Sequence, residues 1–176
     1  QDGDLYGLAS AGGASGHGTV FKVTLAGVLT TLVHLEYYSK GANPQGRLVQ
    51  SADGAFYGMT ASGGPNAAGT IFKVTPAGVF TRLAVFGGST GLLPQGGLVI
   101  GSDGSFYGMT SQGGTGGAGN IFKITPAGVL TNLVNCNSTT GTYPNGDLVL
   151  ASDGNFYGLM NQGGANGKGT VFRLTQ

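Results

Sequence analysis

A unit of about 50 residues, used about three and a half times, accounts for nearly all of this 176-residue chain. The segment DGAFYGMT at Asp53 to Thr60 returns as DGSFYGMT at Asp103 to Thr110 and DGNFYGLM at Asp153 to Met160, with DGDLYGLA at Asp2 to Ala9 as the first copy. A second segment follows each: GTVFKVT from Gly18, GTIFKVT from Gly69, GNIFKIT from Gly119 and GTVFRLT from Gly169. Two more runs occur three times each, GVLTTLVHL, GVFTRLAVF and GVLTNLVNC from Gly27, Gly78 and Gly128, and GRLVQS, GGLVIG and GDLVLA from Gly46, Gly96 and Gly146. Near-identical units must bury their apolar surface against copies of themselves, which restricts the fold to stacked or circular arrays.

Each run is short, rich in Val, Ile, Phe, Tyr and Thr, and bounded by Gly, Pro, Asn or Asp, the signature of strands. No stretch has helical period. Thr75-Pro76-Ala77-Gly78, repeated at Thr125 to Gly128, places Pro second and Gly fourth as a type I turn prefers. The Asp-Gly pairs at Asp53, Asp103 and Asp153 read as tight hairpin turns. Each unit is therefore expected to be a four-stranded antiparallel meander. In Phe56 to Thr60, Phe56 and Gly58 face one side while Tyr57 and Met59 face the other, so both faces need cover. An all-β chain of β-propeller-like blades meets that need, because blades stack face to face. A β-solenoid is the alternative, disfavoured because hairpins do not build parallel coils. One repeat domain over 1–176 is expected, with units at approximately 1–45, 46–95, 96–145 and 146–176.

Charged residues make up 9% of the chain and the net charge is +1, too little basic surface to hold a phosphate backbone, so no nucleic-acid partner is expected. No apolar run approaches the ~18 residues that span a bilayer, which argues against membrane insertion. The 37 glycines fall at fixed places between strands and mark turns. Gln1 in place of an initiator Met fits either a processed chain or a stretch of a longer polypeptide. Cys136 aligns with Leu35 and Phe86 and reads as a core residue.

FYGMT, GTIFKVT and GVFTRL, with the trailing P-x-G-x-LV, resemble the GloVer (gloeo/verruco) tandem repeat of bacterial secreted and surface proteins. The resemblance covers essentially the whole chain. It implies a propeller-like fold and an extracellular or cell-surface setting, and it implies no enzymatic activity.

Chemistry is thinly supplied. Of seven acidic residues, Asp2, Asp53, Asp103 and Asp153 occupy the Asp-Gly turns, leaving Asp4, Glu36 and Asp147. Nothing in their spacing pairs two carboxylates across a cleft. His17 and His34 lie in different parts of the unit, and no catalytic residues, metal site or cofactor are expected. Lys22, Lys73, Lys123 and Arg173 recur at one position of the third strand, either as a basic lining that meets an anionic glycan or a neighbouring subunit, or, the favoured reading, as stems that cover apolar surface. Tyr37, Tyr38 and Tyr143, in the long connections before Pro44 and Pro144, are candidates for stacking on sugars.

In unit order the chain supplies three strands, then four, four and three, so two sheets end in unpaired edges. Such edges recruit other chains. The leading expectation is a non-enzymatic extracellular structural protein that associates with copies of itself, as a homo-oligomer or polymer. The alternative is a carbohydrate-binding module for neutral glycans.

Overall fold

The computed structural model describes residues 3–175, and all fifteen strands in them are antiparallel within their sheets. The first sheet contains β1 (Leu5–Ala9), β2 (Thr19–Val23) and β3 (Leu29–His34). The second contains β4 (Ala42–Gln50), β5 (Phe56–Ser62), β6 (Thr70–Val74) and β7 (Phe80–Val85). In the third are β8 (Leu92–Pro94), β9 (Val99–Ile100), β10 (Phe106–Gln112), β11 (Asn120–Ile124) and β12 (Leu130–Asn135), and in the last β13 (Thr142–Leu150), β14 (Phe156–Gln162) and β15 (Thr170–Leu174). Strands are neighbours in chain order within each sheet, as a meander requires, and the chain is an all-β, propeller-like array.

The hairpin chemistry follows the sequence. Gly78 donates its N–H to Thr75 O at 2.8 Å and Thr75 donates to Val79 O at 3.0 Å, closing the Pro-containing turn. At the Asp-Gly corner the same geometry returns, Gly54 donating to Ser51 O and Ser51 to Ala55 O, with Gly54 in the left-handed region at φ 79°. The turn is thus four residues long, with Gly at its last position, and longer than a two-residue Asp-Gly hairpin.

Three hydrophobic cores lie between neighbouring sheets. Val20, Val33, Leu35, Phe56 and Phe72 fill the first junction. Tyr57, Met59, Ile71, Phe86, Phe106 and Phe122 fill the second, and Tyr107, Met109, Ile121, Cys136, Leu148 and Phe156 the third. One contact recurs at each: Tyr6 stacks on Phe56 at 4.0 Å, Tyr57 on Phe106 at 4.1 Å, and Tyr107 meets Phe156 at 4.4 Å. Alternation along the strand sends the Tyr forward and the Phe back, so each of the two inner units carries one half of two such contacts and each outer unit one half of one.

The Gly of each FYG segment has a packing reason. A Cβ on Gly108 would stand 2.6 Å from Phe122 Cζ, and one on Gly58 would stand 2.7 Å from Phe72 Cζ. The tip of the Phe ring of the third strand sits over this glycine because no side chain occupies that point.

The innermost strands converge. A Cβ on Gly46 would meet Gly96 O at 2.2 Å, and a Cβ on Gly96 would meet Gly146 O at 2.2 Å, so only backbone fits there. In the third sheet this strand is interrupted, leaving β8 and β9 as two pieces that both pair with β10. The expected fourteen strands become fifteen for this reason. The innermost strands also begin at 42, 92 and 142, several residues before the GxLV segments, because Pro44, Pro94 and Pro144 lie within them. They are sheet edges, where a missing N–H breaks no ladder bond.

Gly108→Ala is expected to lower stability by about 1–3 kcal/mol through overpacking against Phe122. Urea denaturation checks this, and Phe122→Leu placed in the Gly108→Ala background is expected to recover part of the loss.

Candidate functional site

The recurring cation belongs to a corner built on the Asp-Gly turn. Asp53 Oδ1 accepts the Ala55 N–H at 3.1 Å, while its Oδ2 accepts the Tyr57 hydroxyl at 3.2 Å and Lys73 Nζ at 2.7 Å. Asp103 repeats the set with Ser105 N, Tyr107 Oη and Lys123 Nζ. In the last unit Asp153 accepts from Asn155 N and Nδ2 and from Tyr157 Oη, with Arg173 adding charge. In the first unit Lys22 pairs with Asp4 at 2.6 Å; Asp2 lies outside the described residues. Each cation of the row is thus matched to a carboxylate of its own unit. In the second and third units the same Tyr whose hydroxyl is held here places its ring against the Phe of the next sheet.

The corner sets its own protonation. The Lys123 ammonium holds the Asp103 carboxyl down at about 2, helped by the Ser105 and Tyr107 donors. Asp153 is also held at about 2, chiefly by the Asn155 side chain and backbone donors. Burial and the Asp103 charge push the Tyr107 hydroxyl up, and pairing with Asp103 raises Lys123.

The remaining carboxylates are engaged separately. Glu36 accepts from Ser39 at 2.7 Å and Lys40 at 2.9 Å. Asp147 takes the Gly97 N–H at 2.5 Å and stands 3.5 Å from Arg47 Nε, across the centre where the inner strands meet. Among the described residues no three His, Cys, Asp or Glu side chains gather in one place. Cys136 is 1% exposed, with burial raising its thiol to about 11.

The tyrosines proposed to stack on sugars fall in two places. Tyr37 and Tyr38 pack edge to face at 5.1 Å in the connection after β3, with His17 5.5 Å from Tyr37 and Tyr38 largely exposed. Tyr143 lies at the start of β13, 39% exposed, in a groove between the third and fourth sheets. The structure does not bring the three together.

What sequence reasoning passed over is the pair of end faces. Leu159 and Val171 on the last sheet are 57% and 75% exposed, whereas Met59 and Ile71 at the same unit positions are 1% and 0% exposed. On the first sheet Leu5 is 64% exposed, where Phe106 is fully buried. Aligning the outer units with the inner ones finds these residues, because the same alternation that fills the internal cores continues onto the outer sheets.

The family described as the Gloeobacter/Verrucomicrobia repeat matches residues 1–176. The chain belongs to that family. No curated protein is significantly similar to it. Among solved structures, a gluconolactonase from Xanthomonas campestris is similar over 99% of this chain and 54% of its own, with a TM-score of 0.62 at 14% identity. A candidate 6-phosphogluconolactonase from Bacteroides uniformis is similar over 100% of this chain and 51% of its own, TM-score 0.59 at 18% identity. Another from Bacteroides fragilis gives 99%, 55% and 0.55 at 18% identity. At such identities the likeness is one of fold, and this member of the repeat family spans about half the length of those chains.

Stability is expected to fall between about pH 4 and pH 2. A carboxyl lowered on folding from 3.8 to about 2 favours the native state above its unfolded value, and that advantage is lost as pH drops through the native one. Thermal melts followed by circular dichroism check this; Asp103→Asn is expected to melt lower at pH 7 and to show a shallower acid decline.

Proposed function

We propose that this repeat protein is a non-enzymatic structural module that works by associating with copies of itself, outside the cell or at its surface. The carrying observation is the exposed face of the last sheet. Leu159 and Val171 stand in solvent, with Tyr157 half-buried beside them, at positions that in the two preceding units form the forward half of a buried core. The first sheet presents the backward half, with Leu5, Phe21 and Val23. A forward face meets a backward face at three junctions within the chain, and a second copy offers the same pairing.

Energetics favour the contact. Burying a large aliphatic side chain contributes about 1.5–3 kcal/mol, and the last sheet exposes Val149, Leu159 and Val171 together. The open edges reinforce it: among the described residues β1 has no strand on the side where β4 flanks β5, and β15 none on the side where β7 flanks β6. Contact of unlike faces is heterologous, so it closes into a ring or continues as a fibre according to the rotation per copy.

Size-exclusion chromatography with light scattering is expected to show an oligomer at micromolar concentration, with rings or filaments in negative-stain electron microscopy. Leu159→Lys with Val171→Lys is expected to weaken association at least tenfold, about 1.4 kcal/mol, with an unchanged melting curve at low concentration. A wild-type monomer at micromolar concentration overturns the reading.

A further inference from the structure

The groove between the third and fourth sheets has a chemistry that the association of blades does not use. Its volume of about 410 Å³ lies in the ~300–1,000 Å³ range of small-ligand sites. The C-terminal end of β10 contributes Gln112, β14 contributes Asn161 and Gln162, β13 contributes Tyr143 and Asn145, and the turn after β8 contributes Gln95. Five carboxamides and a phenol thus line one open space without a charged group among them.

Those five carboxamides differ from most others among the described residues. None makes a side-chain hydrogen bond among the described residues, whereas Asn66, Asn135, Asn137 and Asn155 are held by local backbone or side-chain partners. Gln45, one unit before Gln95, donates to Asn43 at 3.1 Å. A free carboxamide carries two donors and an acceptor that match neighbouring hydroxyls, and five in one groove outnumber what a single small polar group would use.

Tyr143 is set by the backbone. It has φ 55°, and the equivalent Asn43 and Leu93 have φ 54° and 51°, so each unit holds this left-handed residue at the start of its innermost strand. Such a conformation is unfavourable for large side chains. Surrounding packing fixes the backbone in every unit while the side chain changes, and only in the last unit is it aromatic and set beside the free carboxamides.

We infer that this groove binds a neutral oligosaccharide, with the Tyr143 ring against a sugar face and the carboxamides on its hydroxyls. The absence of charge in the lining selects against uronic acids and sulfated or phosphorylated sugars, whose anions would lose hydration with no cation to replace it.

Affinity electrophoresis through gels containing a soluble β-glucan, an α-glucan or polygalacturonate tests this. Retardation by at least one neutral glucan, insensitive to salt, is expected. Tyr143→Leu, which carries the residue that the same backbone holds at Leu93, is expected to lose at least tenfold in affinity, and so is Gln112→Ala with Gln162→Ala, whose side chains support nothing in the fold. Tyr38→Ser is expected to bind as wild type. Melting curves establish that each variant is folded. Retardation only by polygalacturonate, no retardation in either glucan, or full binding by the folded Tyr143→Leu and Gln112→Ala/Gln162→Ala variants overturns the inference. Repeating the gels with Leu159→Lys/Val171→Lys separates this outcome from that of self-association.

Discussion

The stack of a tyrosine on the phenylalanine of the next sheet is the contact on which the rest of the molecule depends. It is made three times, at 4.0 to 4.4 Å, and each time the tyrosine is the forward residue and the phenylalanine the backward one. Because one strand supplies both, no sheet can be satisfied alone: its front is half of one core and its back half of another. The Asp-Gly corner secures the arrangement from the polar end. In the second and third units an aspartate holds the tyrosine hydroxyl and a lysine, so the ring enters the core with its polar tip satisfied. The cation row and the core are therefore parts of one device.

At the centre the repeat stops being uniform. Arg47, Gly97 and Asp147 occupy one position of three successive units and touch each other, the arginine and aspartate in an ion pair and the glycine backbone giving its N–H to the same carboxylate. Identical residues here would place like charges side by side at the point where the inner strands leave room only for backbone. Unlike ones distinguish the units from one another. The groove beside Tyr143 has the same character: a common backbone carrying a different side chain in each copy.

The unit, its antiparallel strands, the Pro-x-Gly turn and the two-faced burial were legible in the sequence because they rest on local chemistry and on alternation along a strand. The Pro44, Pro94 and Pro144 segments were not recognised as strand, since a proline weakens that reading unless the strand is known to be an edge. The partnership of Lys73 with Asp53, twenty residues apart, was hidden as well, although both recur in register; only the antiparallel pairing of Tyr57 with Lys73 brings the lysine to the turn. Tyr37, Tyr38 and Tyr143 looked alike as aromatic residues of long connections, but two pack on each other and one faces a groove.

By itself the sequence determined an all-β array of like units, since short-range periodicity and turn residues act through bonds and neighbours a few residues apart. The tertiary structure decided which surfaces are left unpaired, which carboxylate holds which cation, and which free carboxamides share a groove. Those outcomes depend on how far one sheet turns against the next, a quantity carried by no single unit and set only when their side chains pack together.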